Sequence, residues 1–425
     1  MNQEQKIFKS ASWYVSGSAI QGLTPFLLTP FLTRALNETQ FSEFVLFIAL
    51  GTILSFLFAF GLPAALTREL ILDKNNSVIN LESTNYVKRY LIIFGIAFLI
   101  VSFFTTEIIK IILLALALAL SLSLVQIDMA IYRAQQKAKF FILSAISSTA
   151  LPTIFMTLGI YLNLLNINFI VFYATFVLIF AALANRKVMT QQSSNKNLPY
   201  LFKLGSPTIP HGLGMSLMQY GDRIVIASAL GLTAAGRVQV AALLGTASLL
   251  LLSTLNHAWI PAVLEKFNQN KEIGVEFLNK STNLLSLFIF NISLLIMFLN
   301  PWILKVFAPA TFDLAALSPV VLLMALGANI FIFYLRNTHV LTFLGKFQSL
   351  AWITPISIFL QISLIFILVP HIGLLSVALA LLAMVSSQAI LTQIVVRRLD
   401  SEIKLTFMPI IYLVLLSIIA IFLLN

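Results

Sequence analysis

WYVSGSAIQGLTPFLLTPFLTRALNETQFSEFVLFIALGTILSFLFAFGLPAALTRE, residues Trp13 to Glu69, is a long apolar segment, a short polar turn and a second apolar segment. About 20 apolar residues are what an α-helix needs to cross the hydrocarbon core of a bilayer, so the stretch reads as a transmembrane hairpin. Pro25 and Pro30 lie inside its first arm, with Arg34 at the far end. Each proline removes a backbone hydrogen bond, so this helix is expected to bend. In lipid such a bend persists where neighbouring helices or a water-filled cavity re-satisfy the freed carbonyls. Asn37-Glu38-Thr39-Gln40 then reverses the chain, and Phe44 to Leu66 returns to Arg68-Glu69.

The hairpin recurs. A shift of 194 places Ala35-Leu36 and Thr39 on Ala229-Leu230 and Thr233, and Leu50-Gly51-Thr52 on Leu244-Gly245-Thr246. The matches are few, and they point to two halves that each open with one long hairpin.

The rest of the chain is of the same kind. Its 425 residues are 60% hydrophobic and only 10% charged, a composition whose surface water could not solvate. Thirteen spans are predicted, near 12–33, 42–66, 88–105, 109–132, 140–161, 167–185, 206–230, 236–260, 283–304, 316–338, 347–369, 373–396 and 405–424. With the N-terminus inside, the cytoplasmic connections collect nearly all of the 26 Lys and Arg, Lys88, Arg89 and Arg133 among them. The opposite side receives only Arg34, Lys110, Arg237 and Lys305, and Arg223 alone falls within a span. The net charge of +11 is therefore a topology signal and not a nucleic-acid footprint. The first span is too long for a cleaved signal peptide and lacks its small-residue exit. With no cysteine, disulfides and cysteine-ligated metals are excluded.

The polar run after Arg186 reads as a linker. The expected organisation is an N-terminal lobe over 1–190, a cytoplasmic linker over 191–205, a C-terminal lobe over 206–400 and an extra transmembrane helix over 401–425. The fold class is an all-α polytopic membrane protein with two six-helix lobes in a parallel repeat, twelve core helices and a peripheral thirteenth.

No phosphate-binding G-x-x-x-x-G-K-[ST] and no H-E-x-x-H occurs, and the four histidines (His211, His257, His339, His371) are scattered over different spans. No catalytic residue, metal or cofactor is expected, and the chain does not read as an enzyme. What remains is ionisable residues at membrane depth, which by default mark function. Asp222-Arg223 lies about 17 residues into the seventh span, roughly 25 Å along the helix. The pair is either a cation facing a cavity, its desolvation cost lowered by the adjacent acid, or a salt bridge locking this span to another helix. Arg34 either lines a cavity or snorkels to headgroups. Arg68 and Arg336 sit at inner ends, where the positive-inside rule accounts for them, and both are kept as candidate pathway residues. Asp128, five residues from Arg133 and on another face, is the candidate for ion coupling, against a buried capping or ion-pair role. The leading helices of the two halves carry Pro25 and Pro30, and Pro207 and Pro210, as candidate hinges of a pathway. Gln21 and Gln219, with Ser16, Ser18, Thr24 and Ser216, are placed to hydrogen-bond sugars.

Trp13-Tyr14-Val15-Ser16-Gly17 leading to Pro30 and Thr33-Arg34-Ala35-Leu36 resembles the opening of the polysaccharide transporter family. So do Gly61-Leu62-Pro63-Ala64-Ala65 with Arg68-Glu69, and Asp222-Arg223 followed by Ala235-Gly236. This is the O-antigen flippase branch of the multidrug/oligosaccharidyl-lipid/polysaccharide superfamily, and the resemblance covers residues 5–400. It implies a MATE-like fold in which two lobes flank a central cavity with alternating access. The implied substrate is an undecaprenyl-pyrophosphate-linked oligosaccharide, such as the O-antigen repeat of lipopolysaccharide. It would be moved from the inner to the outer leaflet of the bacterial inner membrane. Arg34, Arg68 and Arg223 become the cavity cations, and arginine's planar fork suits phosphate. Membrane lipids and a polysaccharide polymerase are the implied partners, and a monomer is expected. Arg237 stands where the family commonly has an aromatic residue, and the thirteenth span is one beyond the usual twelve. An ion-coupled multidrug or metabolite antiporter would favour acidic cavity residues, for which only Asp128 and Asp222 qualify. A membrane polymerase would carry a large outer loop, which the chain lacks.

Overall fold

The computed structural model describes residues 3–72, 81–135, 137–164, 169–184, 198–346, 348–400, 403 and 405–424. These are helical almost throughout, and among the described residues helix overlaps each of the thirteen predicted spans. Among the described residues, eight segments are long and apolar enough to cross a membrane by length and composition, or nine if one bent pair counts as a single span. The protein is an all-α multi-pass membrane protein. By contacts the chain divides into two units, Met1–Ile224 and Val225–Asn425.

The first unit holds α1 (Gln3–Ala35), α2 (Glu38–Phe58), α3 (Leu62–Leu72), α4 (Leu81–Ser102), α5 (Glu107–Ala134), α6 (Ala138–Ala145), α7 (Leu151–Tyr161), α8 (Phe169–Ala184), α9 (Leu198–Gly205) and most of α10 (Ile209–Leu230). α1 continues through Pro25 and Pro30 as one helix. Around the prolines, Thr24 and Thr29 hydroxyls donate to the carbonyls of Ile20 and Pro25 at 2.6 Å, and Arg34 Nη1 donates to the Pro30 carbonyl at 2.7 Å. α2 starts on a capping box: the Asn37 side chain accepts from the Gln40 amide while Gln40 Oε1 accepts from the Asn37 amide. It stops at Phe60 and Gly61, both at positive φ, so the second span is broken into α2 and α3.

The fifth span is also interrupted. Pro152 cannot donate to the carbonyl one turn back, and a π-turn at Ile146–Ala150 lets the chain pass from α6 to α7. The linker expected over 191–205 lies outside the described residues as far as 197, and from Leu198 it is helix α9. Pro207 occupies a 3₁₀ turn at Ser206–Thr208, and Pro210 the first turn of α10. A proline costs little there, because first-turn amides have no intrahelical partner.

The second unit holds α11 (Leu232–Gly245), α12 (Ala247–Gln269), α13 (Lys271–Phe307), α14 (Leu314–Met324), α15 (Gly327–Phe343), α16 (Gln348–Ile372), α17 (Leu375–Leu399) and α18 (Met408–Leu424). α11 and the start of α12 are bent by 55° at Thr246. Gly231, at φ +94, caps α11 and sits 194 residues after Asn37, the cap of α2.

Each unit repeats one packing scheme. α5 lies against α2, α4 and α8, with α8 also against α7; α14 lies against α11, α13 and α17, with α17 also against α16. The two glycines matched in sequence make the corresponding contact in each. A Cβ on Gly51 would stand 2.6 Å from Leu118 of α5, and one on Gly245 would stand 2.5 Å from Met324 of α14. Small residues let the helices approach this closely. Ser55 adds a polar tie between α2 and α5, its carbonyl accepting from Ser123 and its hydroxyl from Gln126, both at 2.8 Å.

The thirteenth span, expected to be peripheral, packs along one edge on the rest of the second unit. Leu416 and Ala420 of α18 are buried against Met297 of α13 and Leu322 of α14. The segment before it is pinned at Thr406, whose amide donates to Asn279 and hydroxyl to Asn283, each at 2.9 Å, while its carbonyl accepts from Arg336 at 2.7 Å.

Candidate functional site

α10 carries a polar face. Ser216, Gln219, Tyr220 and Arg223 fall at i, i+3, i+4 and i+7, one side of a helix. Asp222 and Arg223 are 5% and 7% exposed. Asp222 Oδ1 accepts from the Arg223 amide at 2.8 Å and from Arg223 Nη1 at 2.5 Å. The same Nη1 donates to the Gln219 carbonyl, and the Tyr220 ring centroid lies 5.8 Å from the guanidinium carbon. This ion pair is intrahelical. It sets the buried guanidinium beside its own counter-ion, which lowers the cost of burying it. Tyr173 of α8 is buried edge-on against Phe44 and Phe47 of α2, with ring centroids 5.3 and 6.0 Å apart.

The other predicted residues are placed elsewhere. Arg34 is exposed and satisfies a carbonyl of its own last turn. Gln21, half-buried, points its amide at Met129 of α5, 3.9 Å away. Arg68 has an exposed side chain bonded at 2.7 Å to Glu69, which is buried and also accepts from Tyr200 of α9 at 3.2 Å. Arg336 is buried, and besides Thr406 it donates to Gln393 of α17 at 2.8 Å. Its guanidinium therefore holds α15, α17 and the lead into α18 together.

Asp128 is ion-paired. Its partner is Lys88 of α4, whose side chain is fully buried. Lys88, counted by its charge among the cytoplasmic connections, thus belongs to the helix interior, where it joins α4 to α5. Arg133 lies over the Phe141 ring, 5.2 Å from its centroid. Tyr220 could have been found from the spacing of the α10 stripe; Lys88, Tyr173 and Tyr200 carry no local signal and are recognised only by what they touch.

A family model described as polysaccharide biosynthesis protein matches residues 7–267. The chain belongs to that family. Lsg locus protein 1 of Haemophilus influenzae is 25% identical over 319 residues, covering 70% of this chain and 77% of that protein. Solved structures share the fold at low identity. A MATE crystal structure in complex with MaL6 is 16% identical with a TM-score of 0.61, covering 95% of this chain and 97% of that one. An inward-facing multidrug resistance MATE family transporter of the MOP superfamily is 16% identical with a TM-score of 0.64 over 92% and 95%. A MOP superfamily transporter from Pyrococcus furiosus, whose binding pocket is described as of reverse polarity, is 16% identical with a TM-score of 0.58 over 96% and 98%. The chain therefore has a MATE-type fold.

Proposed function

We propose that this protein flips an undecaprenyl-pyrophosphate-linked oligosaccharide, such as an O-antigen repeat unit, from the inner to the outer leaflet of the bacterial inner membrane. The N-terminus is cytoplasmic, residues 1–190 and 206–400 are the two repeats, and the protein works as a monomer that hands its product to a polysaccharide polymerase. The observation that carries the reading is Arg223: a guanidinium held at membrane depth on α10, beside its own counter-ion and one turn from exposed Gln219. A pyrophosphate entering lipid must exchange its hydration for fixed cations, and arginine offers a bidentate fork. The prenyl tail stays in lipid and needs no site of its own.

The antiporter reading is weaker. A cationic drug needs acidic cavity residues, and only Asp128 and Asp222 qualify, the first of them joined to fully buried Lys88. The test is Arg223→Ala in a strain lacking the native copy. Surface polysaccharide is expected to vanish while the protein stays at its normal level in the membrane. Normal glycan from that variant would remove Arg223 from the mechanism and the main support with it.

A further inference from the structure

α18 buries Pro409, Leu416 and Ala420 and nothing after them among its described residues. Beside its last turn lies a cavity of about 390 Å³, set between the ends of α13 and α18 and the start of α14. Its walls are mostly apolar, Leu304, Leu322 and Leu423 among them, and Lys305 is the one charged residue that lines it. With the N-terminus cytoplasmic, this is the outer face of the membrane. Trp302, exposed on α13 one turn before Lys305, marks the headgroup level, where tryptophan collects. Deeper on the same helix Leu295 and Phe298 are exposed, so the surface continues from there as lipid-facing hydrocarbon.

Ser318, also in the lining, adds a donor. Asn300 is buried, and its Nδ2 donates to the Ser318 hydroxyl oxygen at 2.7 Å and to the Ser318 carbonyl at 3.0 Å. Other serines of this unit turn their hydroxyl hydrogens back onto their own helix, Ser286 to the Thr282 carbonyl at 2.7 Å and Ser376 to that of Gly373 at 2.6 Å. The Ser318 hydrogen has no such acceptor among the described residues. The acid that caps α14, Asp313, accepts from the Ala316 amide. A ligand that uses both Lys305 and Ser318 is an anion with acceptor oxygens. One that fills the remaining space is a hydrocarbon, because a cavity walled by leucines gives water no partners. A phosphodiester with acyl chains is both, and a basic pocket between membrane helices suits such a headgroup.

We infer that this cavity is a binding site for an anionic phospholipid of the outer leaflet: its phosphate sits against Lys305 and Ser318, and one acyl chain fills the space between α18, α13 and α14. The site is independent of the cargo and of Arg223. Its occupant would fasten the end of α18 to the rest of the second unit.

The test uses the purified full chain in detergent and two probes, phosphatidylglycerol and phosphatidylcholine, with bound lipid counted by native mass spectrometry. Wild-type protein should bind phosphatidylglycerol more tightly, and that lipid should raise its thermal midpoint more than phosphatidylcholine does. Lys305→Gln should weaken phosphatidylglycerol about fivefold, the contribution of one basic side chain at a lipid surface, and leave phosphatidylcholine unchanged. Ala315→Phe, which keeps the charge and fills the cavity from its lining, should expel phosphatidylglycerol. Lys110→Gln, a cation removed elsewhere on the outer face, should change nothing. Equal binding of the two lipids by wild type would overturn the proposal, as would an undiminished preference in Lys305→Gln or in Ala315→Phe. So would an equal loss in Lys110→Gln, which would make the effect one of general charge. Displacement of phosphatidylglycerol by excess inorganic phosphate would reduce the site to an ion site and overturn it too. Should one cavity variant fail to fold, the other decides, and every one of these results leaves the flippase reading where it stands.

Discussion

Lys88 and Asp128 show what a single pair of side chains does in this chain. Each is buried, each lies on a different helix, and together they bridge α4 and α5. Removing one partner leaves the other charged and unpaired in a medium that cannot solvate it. Lys88→Leu or Asp128→Leu alone should therefore cost about 3–5 kcal/mol, seen as a fall in thermal midpoint in detergent. The double variant, with both charges gone and similar volume kept, should recover most of that loss. Transport by the double variant then separates two roles. If the pair is only a joint, flipping returns with stability; if Asp128 couples an ion, flipping stays lost in a stable protein. The sequence marks Asp128 readily, because an acid inside an apolar run stands out. Lys88 is hidden by the same logic: a lysine at the edge of a hydrophobic run reads as the end of the span, although its counter-ion lets the helix carry it inside.

Gly51 and Gly245 are equivalent in sequence, and the helices around them are equivalent in packing, but their neighbours differ in how far they can yield. A Cβ on Gly51 meets Cδ2, Cγ and Cβ of Leu118 at 2.6, 2.9 and 3.2 Å, a side chain that can turn partly aside; one on Gly245 meets Cβ of Met324 at 2.5 Å, with the Val321 carbonyl oxygen at 3.1 Å. Gly245→Ala should therefore destabilise more than Gly51→Ala, within the 1–3 kcal/mol typical of overpacking, measured by thermal unfolding of each variant. Gly205→Ala should be worse than either. A Cβ there meets the backbone of Gly61, which is itself at φ +70, so neither chain can withdraw by changing a rotamer. Here the breaks between α2 and α3 and between α9 and α10 touch backbone to backbone, and Phe60 packs edge-on to Phe202 at 5.6 Å. Hydrophobic runs locate the helices well, because the need to satisfy every backbone amide in lipid leaves few alternatives. They do not locate the breaks. Those follow from contacts such as Gly61 on Gly205, and a window of mean hydropathy averages over them.

α18, the thirteenth span, tests how the second unit holds together. Thr406 bonds to α13 and α15, and Arg336 reaches from it to Gln393 on α17. Ending the chain after Asp400 should strip partners from Asn279, Asn283 and Arg336 and expose Met297 and Leu322. The expected outcome is a marked loss of thermal stability and of membrane level, whereas Thr406→Val, which keeps both backbone bonds, should cost only about 1 kcal/mol. A truncated protein as stable as the full chain would make α18 the peripheral addition that its position in the sequence implies.

The helical membrane fold, its spans and the internal repeat are dictated by composition and periodicity, since a bilayer admits few backbone arrangements and each apolar run must find one. The resemblance in the leading hairpins extends that to the family. Which charges are partnered, which glycines touch, and whether Arg336 serves a pathway or a latch were set only when the helices packed. Those are pairings between residues far apart in the chain, and one residue's identity does not disclose its counterpart's.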